Sequence, residues 1–121
     1  MVKIENGNGT ISITSEVFTN LAGDAATNCF GVKGMAGRSK DGGALQLLRR
    51  ESMSKGVEVQ FNDDDSISLD LHIGVDKGVN ITAVCRSIMN EVRYKLQQAT
   101  GVRVQDVNVY VDTIISDKNE K

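Results

Sequence analysis

A chain of 121 residues with 40% hydrophobic and 25% charged side chains has the length and balance of one domain that buries its own core without staples. No run of about 18 apolar residues occurs, and Met1–Asn8 is too short and polar for a secretory segment, so no membrane span is expected and the chain reads as cytoplasmic with reduced thiols. The net charge of −2 is uneven: Lys33–Lys55 holds six basic and two acidic residues, a net +4 that leaves −6 for the rest and predicts one basic surface on an acidic body.

Residues 1–8 read as a polar lead-in. Ile11 and Ile13 alternate with Thr10 and Ser12, which predicts a strand over Gly9–Thr14. Thr14 or Ser15 caps a following helix, with Glu16 well placed in its first turn. Phe18, Leu21, Ala22, Ala25, Ala26 and Cys29 form its inner face, and the alanines allow close approach to a neighbour. Gly31 ends this helix, and Val32 begins a short extended piece. Gly34–Gly43 is glycine-rich and reads as a loop, and Leu45 and Leu48 suggest a short helix over Ala44–Arg50.

Val57, Val59 and Phe61 alternate with Glu58 and Gln60. After a turn at Asn62–Ser66, Ile67, Leu69, Leu71, Ile73 and Val75 alternate with polar residues and glycine. The two runs predict an antiparallel hairpin with one buried face. Asn80 caps a long helix carrying Ile81, Val84, Cys85, Ile88, Val92, Leu96 and Ala99 at spacings of three and four, and Gly101 stops it. In the final strand Val102 and Val104 are out of phase with Val107, Val109 and Val111, so one residue must be absorbed near Gln105 and Asp106 as a bulge. A faint echo relates Gly31-Val32-Lys33 to Gly101-Val102-Arg103 and suggests two βαβ units. The expected fold class is α+β: a two-layer sandwich, with a mixed β-sheet and two main helices packed on one face. The expected divisions are the lead-in at 1–8, a single domain at 9–116 and a frayed tail at 117–121.

Candidate chemistry is sparse. His72, the single histidine, falls on the polar side of its strand with Asp70. A general base needs a nucleophile within reach, and none can be singled out. Cys29 and Cys85 sit on separate apolar faces and read as small buried hydrophobes, so a zinc site is not expected. Asp63, Asp64 and Asp65 are consecutive, whereas a calcium loop needs alternating ligands and a glycine where Ser68 stands. No metal or cofactor is therefore expected. Gly31, Gly34 and Gly37 follow a helix, which excludes a dinucleotide fingerprint. Gly31-Val32-Lys33-Gly34 does match the GxxG loop of a nucleic-acid clamp, with Lys33, Arg38, Arg49 and Arg50 as the candidate binding residues. The aromatic content is only 4% with no Trp, so platforms for stacking bases are few and nucleic acid is the alternative partner.

Several segments together resemble one known family. They are Gly9-Thr10-Ile11-Ser12-Ile13 before Glu16-Val17, the small-residue stretch Ala22–Ala26, and Gly31-Val32-Lys33-Gly34-Met35. Gly56-Val57-Glu58-Val59, Gly78-Val79-Asn80-Ile81, Thr100-Gly101-Val102 and Val107-Asn108-Val109-Tyr110-Val111 complete the set. The pattern spans Gly9–Val111 and resembles the alkaline shock protein 23 / general stress protein 24 family of Gram-positive bacteria. The Leu47-Leu48-Arg49-Arg50-Glu51 insert is most similar to its small housekeeping branch. Asp76-Lys77-Gly78 stands where the family usually has a Tyr-Gly pair. The resemblance implies a non-enzymatic protein of cell-envelope homeostasis. It implies self-association as a homo-oligomer and attachment at the inner face of the membrane through a membrane-anchored partner. It supplies no catalytic residues.

Overall fold

The computed structural model describes residues 1–38, 45–47 and 56–115, with the backbone alone at 38 and 45–47. Among these residues seven strands and two helices follow in the order β1 (Val2–Asn6), β2 (Gly9–Ile13), α1 (Ser15–Thr27), β3 (Val32–Arg38), β4 (Leu45–Leu47), β5 (Val57–Phe61), β6 (Ile67–Asp76), α2 (Ile81–Thr100) and β7 (Val104–Ile115). The fold is an α+β two-layer sandwich. Its main sheet is mixed, because β7 runs parallel to β6 while β3 and β5 run antiparallel to it. Both helices cover one face.

Strand β6 is the spine. Ile67, Leu69, Leu71, Ile73 and Val75 alternate along it, and all are fully buried under the helices. Phe18, Ala22, Ala25 and Ala26 of α1 and Val84, Ile88, Val92 and Leu96 of α2 meet them in one core cluster. The Asn80 side chain caps α2 by accepting the Ala83 N–H at 3.0 Å. Gly101 closes the helix with φ 75°, a left-handed conformation that an L side chain resists. These are the elements that spacing foretold.

The expected bulge is present. Ile67 pairs with Val104 and Ser68 with Asp106, so Gln105 is the extra residue. Arg93 of α2 satisfies the distorted backbone: its guanidinium donates to the Val104 carbonyl at 3.2 Å and to the Gln105 carbonyl at 2.9 Å. A second shift follows between Ile73/Val111 and Gly74/Thr113, and there Asp112 is the extra residue.

Several expectations need correction. The lead-in is not featureless: Val2–Asn6 forms β1, which pairs with β2 in a separate two-stranded ribbon and buries Val2 in the core. Because β2 pairs with β1 rather than with β3, β6–α2–β7 is the one βαβ unit among the described residues. The glycine-rich stretch is extended through Arg38, because Gly34 and Met35 pair with Gly74 and Ile73 of β6. The expected helix over Ala44–Arg50 is replaced at Leu45–Leu47 by β4, which pairs with Ala36–Arg38. Leucines two apart suit a strand, and β3 offers them an edge.

β3 and β5 share one side of β6, end to end. Gly56 marks the junction: a Cβ there would lie 3.0 Å from the Ala36 carbonyl oxygen and 3.2 Å from that of His72. Only glycine admits three backbones at that spacing. Helix α1 also stops earlier than expected, with Asn28 as its C-cap, and Gly31 follows in a turn with φ 89°. A Cβ on Gly31 would meet Val84 Cγ2 at 2.9 Å, so this turn lies hard against α2.

Candidate functional site

The four residues of the expected basic surface do not form a described site. Lys33 is exposed on the bulged part of β3 and pairs with Asp76 at 3.4 Å. Arg38 ends β3 as backbone, and Arg49 and Arg50 lie outside the described residues. The Gly31-Val32-Lys33-Gly34 stretch is a turn that runs into a strand, not a loop between two helices. It therefore lacks the geometry of a backbone-clamping GxxG.

His72 finds an acid, but a different one. Its Nδ1 lies 2.9 Å from Asp112 Oδ2, and its ring stacks on Tyr110 with centroids 4.9 Å apart and planes at 14°. Asp70 instead accepts from Asn108 Nδ2 at 2.9 Å. Tyr110 and Asp112 are two apart on β7, so both reach the face of the sheet that carries His72. Among the described residues no serine, threonine or cysteine is hydrogen-bonded to His72. The pair is partly open to solvent on the helix-free face of the sheet. The imidazole is thus held by a carboxylate and a stacked phenol on that face.

The other sequence candidates are structural. Asp64 accepts from the buried Ser66 hydroxyl at 2.6 Å and from its N–H at 3.1 Å, and it also meets Arg103. The Ser66 hydroxyl bond, then the N–H bond and Arg103, hold the Asp64 carboxyl below the usual carboxylate range. Its charge thus serves the β5–β6 turn. Among the described residues no group of three or more metal-binding side chains converges. Cys29 and Cys85 are free and half-buried rather than sealed, and burial pushes both thiols up from their ordinary value.

The feature that remains is apolar. Phe30, between the end of α1 and Gly31, is 87% exposed. It forms one wall of an open groove of about 460 Å³ whose other walls are Gly78, Val79 and the first turns of α2 at Asn80, Ala83, Val84 and Ser87. Burying a phenylalanine contributes on the order of 1.5–3 kcal/mol, a gain that this side chain forgoes within one chain. The tight Gly31 turn fixes its position. Sequence reading missed Phe30 because it follows directly on the α1 stripe that ends at Cys29. The available signal was its rarity, as the chain has three Phe and two Tyr.

Comparison with known proteins agrees with the fold. Residues 3–116 match the sequence model of the alkaline shock protein 23 family, described as having a cell envelope-related function. The chain is similar to the uncharacterized protein YloU of Bacillus subtilis, with 35% identity over 115 residues, 93% of this chain and 94% of the relative. It is also similar to the uncharacterized protein Spy1614 of Streptococcus pyogenes serotype M6, with 38% identity over 114 residues and 93% of each chain covered. Among solved structures, MamM-CTD aligns at a TM-score of 0.50 and 17% identity, covering 83% of this chain and 99% of its own. At that identity the likeness is one of fold.

Proposed function

The chain belongs to the alkaline shock protein 23 family, and on that footing we propose that it is a non-enzymatic interaction protein of the cell envelope, which self-associates and is held at the membrane by an anchored partner. The observation that carries this reading is Phe30, 87% exposed beside its apolar groove. An aromatic anchor next to an apolar cleft is the usual centre of a protein contact. The pairing of His72 with Asp112 on an open sheet face, without a nucleophile, favours recognition over reaction. Among the described residues no helix is long and apolar enough to cross a membrane. The reading assigns the anchor to a partner.

The test is the distribution of the protein between membrane and supernatant fractions of native cells. Phe30→Asp keeps the fold, because the side chain contributes little to the core, and it empties the membrane fraction. An unchanged distribution in a folded Phe30→Asp variant would sink the assignment of this groove.

A further inference from the structure

We propose that two copies of this chain join through their β1 strands, paired antiparallel about a two-fold axis at Ile4. The inference rests on the self-association reading above and names the surface that reading leaves open.

The hairpin turn decides which backbone groups are available. Asn6 and Gly9 flank a two-residue turn at Gly7–Asn8. The closing pair of such a turn exchanges hydrogen bonds across the ribbon, and bonded pairs then alternate. Ile4 is thereby committed to Ile11, and Val2 to Ile13. Lys3 and Glu5 direct their N–H and C=O groups off the other edge. Among the described strands none lies beside that edge. A groove of about 300 Å³ follows it, lined by the consecutive residues Val2, Lys3, Ile4 and Glu5 and, facing them, Gly101, Val102 and Arg103.

The strand is complementary to itself. A two-fold axis at Ile4 sets Lys3 opposite the partner's Glu5, and Glu5 opposite the partner's Lys3. Opposite charges directly across a strand pair stabilise it, and these are the residues whose backbone groups face outward. The same register brings the two Ile4 side chains together. Ile4 and Ile11 are 36% and 53% exposed at present, although they share the face of the ribbon that begins in the core with Val2 and Ile13. A two-stranded ribbon is marginal alone, whereas the four-stranded sheet β2–β1–β1–β2 is not. The contact is isologous and closes at two copies.

The free edge of β7, the longest strand, is a poor rival. β7 carries bulges at Gln105 and Asp112 and the charges of Asp106 and Asp112, devices that discourage pairing. A two-fold axis at Val109 would set Asp106 opposite the partner's Asp112. β1 has no bulge, and its charges alternate in sign.

The test is sedimentation velocity of the full chain across concentration at low salt. The variants are Lys3→Glu, Glu5→Lys, the double exchange, and Lys3→Pro, with circular dichroism to verify folding. Each single exchange weakens association by about tenfold, and the double exchange returns it to within about twofold of the natural chain. Lys3→Pro removes an outward N–H that β2 does not use, and it also weakens association. If the single exchanges and Lys3→Pro all leave association unchanged, this edge is overturned while self-association stands. If the double exchange fails to restore what the singles lose, the register is overturned. A natural chain that stays monomeric at every concentration overturns both readings.

Discussion

The β6–α2–β7 unit and the β1–β2 ribbon solve the same problem to different degrees. In the first, every apolar residue of the spine is covered, and the irregular backbone at Gln105 is satisfied by Arg93. In the second, cover runs out halfway: Val2 is buried at one end of the ribbon, while the Ile4–Ile11 pair two residues along stands in water. The difference shows which part the fold needs and which part it can offer to other molecules. Stability concentrates around β6, and the proposed contact surfaces use residues that keep their hydrophobic character without internal neighbours.

Substitutions of graded effect sharpen that contrast. Leu71→Ala, at the fully buried centre of the spine, costs about 3 kcal/mol in chemical denaturation. A loss similar to that of a surface residue would mean that the core is not centred on β6. Gly31→Ala costs about 2 kcal/mol, since it combines a φ of 89° with a Cβ 2.9 Å from Val84. It should also disturb the mount of Phe30, so the membrane fraction would fall with it.

Ser66→Ala strips hydrogen bonds from Asp64 and Asn62 in a part-buried turn and costs about 1–2 kcal/mol. The Asp64 charge brings a pH signature with it. Its carboxyl is held below the ordinary value, chiefly by Ser66. Its stabilising contribution is therefore present above the unfolded carboxylate range and is lost as pH falls through the lower folded value. Acid unfolding curves of Asp64→Asn should be flatter in that window, and curves identical to those of the natural chain would refute the linkage. Ile11→Thr sits at the far end of the scale. It changes stability by about 0.5 kcal/mol or less in dilute protein, because the side chain is already half in water. A large loss in monomeric protein would show that the ribbon belongs to the core.

Legibility from sequence followed the same division. The nine-residue alternation of β6 and the capped stripe of α2 are periodic over lengths where chance is a poor rival, and the phase change among the C-terminal valines located the bulge at Gln105. β1 was missed because Val2-Lys3-Ile4-Glu5-Asn6 offers only two apolar residues, although Asn6-Gly7-Asn8-Gly9 is a turn signal and Ile11 and Ile13 answer it. β3 was legible only as a short extended piece beginning at Val32; its continuation was read as a loop because its small residues serve the crowded junction with Gly56. For β4, Leu45, Leu47 and Leu48 suit either period, and tertiary pairing with β3 chose the strand. The Phe30 groove depends on residues nearly fifty positions apart that only the folded chain brings together. No local pattern encodes it.

Arg93 links two levels of the architecture. Its guanidinium reaches from α2 to two consecutive carbonyls of β7 at the first of the two places where that strand shifts register by a residue. A slip of that size would rotate Val107, Val109 and Val111 outward and expose a row of valines. Helix docking thus acts as a proofreader of strand alignment: the forked cation finds both acceptors only when the frame is right, and a misaligned chain lacks this latch during assembly.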